Sequence, residues 1–178
     1  MIGGTIIGPG IFGVLKGCRN HTGVTWEPVL FSNYQAELTS VLADIILPPD
    51  DKPGARELDV PQFIDRYVNE VYTKNEQDSF LEGLDSFNIS VRESYDRDFV
   101  NLDPEERHKF VADKNEESLS SENRSSEHSF FLNFKELTLM GYFNTEVGAT
   151  EVLQYQMNFE VYIGCAPLEE VGGKNWAT

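Results

Sequence analysis

"FFLNFKELTLMGYF", residues 130–143, decides the fold. On a helix, Phe130, Phe131, Phe134, Leu137, Leu139, Met140, Tyr142 and Phe143 cover nearly every face. A helix that is apolar all round is buried in its own core or covered by a partner. The stretch therefore predicts a largely buried helix near 129–145, with amphipathic helices packed around it.

Those helices are legible upstream. Ser32 and Gln35 form a capping-box pair, and Tyr34, Leu38, Val41, Leu42, Ile45 and Ile46 follow as one apolar stripe. Pro48 and Pro49 stop this helix, because neither can donate to its ladder. Pro61 suits the first turn of a second helix, whose face is Phe63, Ile64, Tyr67, Val68, Val71 and Tyr72. A third begins near Asn75 and carries Phe80, Leu84, Phe87, Val91 and Tyr95. Asp103 caps a fourth, where Pro104, Glu105 and Glu106 suit the first turn and its dipole. The expected fold is mainly α: a single-domain bundle of about five helices over residues 30–178, with an extended C-terminal tail. Residues 116–129, "EESLSSENRSSEHS", are acidic and serine-rich, and read as a flexible surface loop.

The chain has 178 residues, 40% hydrophobic, which is ordinary for one globular domain. Its formal net charge is -16, from 14 basic and 30 acidic residues. That sign repels phosphate backbones, which argues against a nucleic-acid partner. It favours protein partners or neutral small molecules. Cys18 and Cys165 are too far apart for a disulfide framework, and His21, His108 and His128 are scattered without metal-ligand spacing. No G-x-S-x-G is present, and Cys165 has no histidine close in sequence. Glu136 and Glu146, read as one helix, lie about three turns apart, too far to act as an acid–base pair. The reading is no catalytic, cofactor-binding or metal-binding residue in this chain.

Residues 1–29 read as a signal remnant and arm. "MIGGTIIGPGIFGVLKGC" is apolar and small, but shorter than a membrane span of about 20 residues. It fits the apolar region of an export signal without the basic start. Leu15, Gly17 and Cys18 are similar to a lipoprotein cleavage box, which makes Cys18 a lipidation candidate; the alternative is a plain arm.

The stretch after the apolar helix begins with its last turn, "GYFNTEVGAT", residues 141–150. It reads as a helix end and turn, in which Gly148 takes a positive φ. Thr145, Glu146 and Thr150 are expected to fix it by accepting hydrogen bonds from backbone amides. Tyr142 and Phe143 belong either to a partner interface or to the domain's own core.

Three segments together resemble a known family. They are "LADIILPPDDKPGARELDVPQFID" at 42–65, "FFLNFKELTLMGYFNTEVGATEVLQY" at 130–155 and "YIGCAPL" at 162–168. In order and spacing they resemble the gluconate 2-dehydrogenase subunit 3 family, over roughly residues 30–168. Asn144, and the tail "YQMNFEVYIGC" without the usual prolines and glycines, depart from the family pattern.

The resemblance implies a non-catalytic small subunit of a periplasmic, flavin-dependent dehydrogenase acting on a sugar, polyol or sugar acid. The large flavoprotein, of the glucose–methanol–choline type, is expected to hold FAD. A cytochrome c subunit with haem c, or another acceptor, is expected to take the electrons. The small subunit is expected to bind the large one and support its export, maturation or stability. Its interface is expected at Tyr142, Phe143, Thr145, Glu146, Gly148, Thr150, Tyr155, Tyr162 and Cys165. Cys165 is also a candidate for pairing with a partner cysteine. Membrane association is expected only through a lipid anchor or the complex. The alternatives are a transient export escort and an independent enzyme.

Overall fold

A computed structural model describes residues 24–120, 126–155, 165 and 167–177. Five α-helices form the bundle: α1 (Asn33–Ile46), α2 (Val60–Val71), α3 (Lys74–Tyr95), α4 (Pro104–Ser120) and α5 (Ser126–Phe143). A short 3₁₀ turn at Phe99–Asn101 lies between α3 and α4, and a π-helical turn at Gly148–Val152 and a 3₁₀ turn at Leu168–Val171 follow α5. Among the described residues there is no β-strand, only an isolated parallel bridge between Gln154 and Trp176. No helix of these residues is long and apolar enough to cross a membrane.

Local chemistry sets the helix starts. At α1 the Gln35 amide donates to Ser32 Oγ at 3.2 Å, and the Ser32 amide donates back to Gln35 Oε1 at 3.0 Å. At α3 the Glu76 carboxylate accepts from both the Thr73 amide and hydroxyl, at 2.8 and 2.7 Å. These satisfy amides that a helix leaves without internal partners.

The predicted central helix is α5, which packs against each of the other four. Phe130, Phe131, Phe134, Leu137 and Tyr142 are buried. The Phe80 ring of α3 lies edge-on to Phe130 at 5.2 Å, and Phe31 stacks on Phe80 at 6.0 Å. This close approach of α3 and α5 requires Gly83. A Cβ there would lie 2.3 Å from the Phe130 ring. The helix is not buried on every side: Leu132 and Leu139 are half-buried, and Glu136 and Met140 face solvent. It ends at Phe143, so Glu146 lies beyond it and the two acids expected on one helix are not.

Of the loop expected over 116–129, the described residues are helical. Residues 116–120 extend α4 and residues 126–129 open α5. Helix pairing explains the extension. Lys114 meets Glu117 at 3.3 Å on α4, Ser118 packs inward, and Lys135 of α5 donates to Asn115 at 2.8 Å. Low apolar content predicts poor self-burial, but a flanking helix can carry such residues as its solvent face.

Asp65 of α2 is buried, with 1% of its surface exposed. Its carboxylate accepts from three consecutive amides, Val29, Leu30 and Phe31, at 2.6, 3.0 and 2.8 Å. A buried charge is stable only when its hydrogen bonds are made. Here they pin the chain entering α1 to the middle of α2.

A second polar node joins α1, α3 and the Phe99–Asn101 turn. Asp98 Oδ1 accepts from Arg92 Nε at 2.5 Å, Asn88 Nδ2 at 2.7 Å and the Tyr34 hydroxyl at 3.4 Å. Asn88 Oδ1 in turn accepts from the Phe99 amide at 2.9 Å. The Arg92 and Asn88 donors hold the Asp98 carboxyl below its ordinary value of 3.8.

Two outcomes follow from these nodes. Asp65→Ala is expected to lower stability by roughly 3 kcal/mol, read as a lower urea midpoint, because three amides lose a charged acceptor. A midpoint unchanged from wild type would contradict that role. For Asp98 the folded pKa is depressed, so its contribution is present above the unfolded value and lost as pH falls through the folded one. The stability advantage of wild type over Asp98→Asn should therefore hold at neutral pH and shrink below pH 3.8 in parallel urea titrations.

Candidate functional site

The region after α5 is built on Thr145. Its hydroxyl donates to the Tyr142 carbonyl at 2.7 Å and accepts from the Gly148 amide at 3.0 Å. The Ala149 amide donates to the Thr145 carbonyl at 2.9 Å, and the Leu153 amide reaches back five residues to the Gly148 carbonyl at 2.9 Å. The last bond gives the turn its π-helical width. Asn144 closes the end of α5, its side-chain amide donating to the Met140 carbonyl at 2.8 Å.

Gly148 is needed for space and not for a left-handed backbone. The positive-φ glycines among the described residues are Gly172 and Gly173. A Cβ on Gly148 would lie 2.1 Å from the Tyr142 carbonyl oxygen. The chain doubles back against α5 so closely that only hydrogen fits. Thr145 accepts from an amide as expected. Thr150 instead donates, to the Glu146 carbonyl at 2.8 Å, and Glu146 itself is exposed.

The two aromatic candidates separate. Tyr142 is 6% exposed, its hydroxyl donates to the Pro53 carbonyl at 3.1 Å, and burial raises its phenol pKa. It belongs to the domain's own core, as does buried Gly148. Phe143 is half-buried, edge-on to Tyr142 at 5.5 Å. Thr145 is half-buried, and Glu146, Thr150 and Cys165 are exposed. Tyr155 is 55% exposed. Tyr162 and Cys18 lie outside the described residues.

The C-terminal residues return to this end of the molecule and add two apolar side chains that sequence reasoning missed. The Gln154 amide donates to the Asn175 carbonyl at 2.9 Å, the Ala177 amide donates to the Gln154 carbonyl at 2.8 Å, and Gln154 Nε2 donates to the Lys174 carbonyl at 2.7 Å. Lys174 Nζ donates to the Glu151 carbonyl, and Lys52 Nζ meets the Glu151 carboxylate at 2.5 Å. This strap holds Trp176 beside Gln154, next to Tyr155 in the chain. Leu168, 54% exposed, and Trp176, 36% exposed, join Tyr155 as solvent-facing apolar groups of one segment pair. Glu169 and Glu170 are exposed beside Leu168. A tryptophan in the polar context "GGKNWAT" was the available signal.

Chemically, the segments 154–155 and 167–177 expose aromatic and aliphatic side chains together with the acids Glu169 and Glu170. Among the described residues, no group of three or more His, Cys, Asp or Glu side chains is placed to hold a metal ion.

The protein family described as gluconate 2-dehydrogenase subunit 3 matches residues 33–160. No curated protein and no solved structure matches the chain.

Gly148→Ala is expected to destabilise the domain by about 2 kcal/mol, the usual range for forcing a methyl into filled space. Tyr142→Phe is expected to cost about 1 kcal/mol for one lost hydrogen bond. Thermal or urea unfolding reads both. A neutral Gly148→Ala would show that the doubled-back turn relaxes freely.

Proposed function

The chain belongs to the gluconate 2-dehydrogenase subunit 3 family, and from that premise we propose that it is the non-catalytic small subunit of a periplasmic flavin-dependent dehydrogenase complex. The family match over residues 33–160 carries this reading. In it, the large partner is a flavoprotein of the glucose–methanol–choline type that holds FAD and oxidises a sugar, polyol or sugar acid. Electrons pass to a cytochrome c subunit carrying haem c, or to another acceptor. This chain binds the large subunit and supports its export, maturation or stability. A lipid on Cys18, or the complex itself, provides any attachment to the membrane.

The exposed group Tyr155, Leu168 and Trp176 supports a protein-binding role. Interface centres are enriched in aromatic side chains, and a few of them carry most of the binding energy. Glu146 and Thr150, exposed on the preceding turn, extend the same end of the molecule. Tyr142 fixes the end of α5 by donating its hydroxyl to the Pro53 carbonyl.

A native pull-down of the tagged chain from the periplasmic and membrane fractions is the test. The expected eluate contains a large stoichiometric partner and shows flavin absorbance. Trp176→Ala and Tyr155→Ala are expected to weaken retention by about 2 kcal/mol each, roughly thirtyfold, without a matching loss of domain stability. A colourless, lone chain would overturn the subunit reading. Association seen only before secretion would replace it with a transient export escort, and turnover by the isolated chain with an enzyme.

A further inference from the structure

Helix α2 carries two apolar rows at i, i+4 spacing, and the bundle buries one of them. Val60, Ile64 and Val68 are at most 1% exposed. Phe63, Tyr67 and Val71 form the other row. Phe63 and Tyr67 are half-buried, with ring centroids 5.6 Å apart, and Val71 is 57% exposed. The row lines an open groove of ≈ 460 Å³ against Gly141 and the residues just past the end of α5. A Cβ on Gly141 would lie 2.7 Å from the Phe63 ring, so α5 backs the row closely on one side only. The groove's charged residues, Asp59, Arg66 and Glu70, are exposed and of mixed sign. The face therefore selects apolar surface rather than charge.

The chain itself supplies such surface nearby. The first described residues, Val24, Thr25 and Trp26, share a small pocket with Asp59 and Pro61, and Asp59 also lines the groove. The chain thus joins the domain at the Asp59 end of the row. Residues 1–15 precede this point without a charged side chain, and Ile11, Phe12, Val14 and Leu15 are strongly apolar. Leu15 lies nine residues before Val24, a reach of about 30 Å. The row from Phe63 to Val71 is roughly 12 Å long, the span of about four to five residues of extended chain. Tethering also gives the segment an effective concentration on the order of millimolar, which a separate chain lacks.

We propose that residues 11–15 of the same chain dock along Phe63, Tyr67 and Val71 and cover the outer apolar row of α2. This does not rest on the family assignment, and it uses none of Tyr155, Leu168 and Trp176. The contact removes apolar surface from water on both sides. While it holds, the row is closed to other chains.

The test uses the full chain, residues 1–178, with a photoactivated benzophenone side chain in place of Phe12. Irradiation and tryptic mapping locate the cross-link. It is expected in peptides 57–66 and 67–74, which hold the row, within one molecule and with a yield independent of protein concentration. Val71→Glu brings a carboxylate into the contact and is expected to lower that yield by about fivefold or more. Ile89→Glu, at an exposed apolar position of α3, makes the same change outside the row and is expected to leave the yield unchanged. Circular dichroism confirms that both variants fold. A cross-link to any other part of the chain, no cross-link at all, or equal loss in Ile89→Glu would overturn the proposal. A cross-linked dimer whose yield rises with concentration would replace the tethered segment with a second copy.

Discussion

The Asp65 carboxylate, taken out of water and met by three consecutive amides, organises the bundle. Its partners lie 34 to 36 residues earlier in the chain, so the contact closes a long loop. Closing that loop costs chain entropy, and charge-assisted hydrogen bonds offset it. One amide in the clamp belongs to Phe31, whose ring stacks on Phe80 of α3. Phe80 meets Phe130 and Phe134 of α5. A polar contact between the segment before α1 and the middle of α2 thus sets the position of the aromatic core.

Around that core, close approach is managed by missing side chains. Gly83 leaves room for Phe130, and Gly148 leaves room for the Tyr142 carbonyl. In both places a helix touches another element more closely than any side chain allows. Interiors packed this tightly do not absorb an extra methyl without movement. The result is a firm interior with its variable chemistry outside. At one end the segments 154–155 and 167–177 display Tyr155, Leu168 and Trp176. Glu169 and Glu170 are exposed beside Leu168, consistent with a chain whose carboxylates greatly outnumber its cations.

Much of the helical framework was legible because its signals are local. Ser32 with Gln35, the proline pair at 48–49, Pro61, and Asp103 followed by Pro104 mark helix boundaries within a few residues of chain. Burial of "FFLNFKELTLMGYF" was legible from hydrophobicity alone. The surface was read less well. Tyr142 and Trp176 are both aromatic, yet Tyr142 is core and Trp176 faces solvent. That difference depends on how far the fold covers each ring: Tyr142 is 6% exposed, with its hydroxyl on the Pro53 carbonyl, and Trp176 is 36% exposed. Residues 116–120 misled for a related reason, since their polar composition hides a helix that a neighbouring helix supports.

The sequence by itself determined the helical class, the helix starts and stops, the identity of the central helix and the family resemblance. Each of these depends on neighbours within a few turns or on ordered motifs. The tertiary structure alone decided that Asp65 is a buried clamp and that Gly148 is required by a carbonyl in its path. It also decided which aromatics remain exposed. Those outcomes depend on groups distant in the chain meeting at a few ångströms, where sterics and desolvation act and sequence spacing carries no signal.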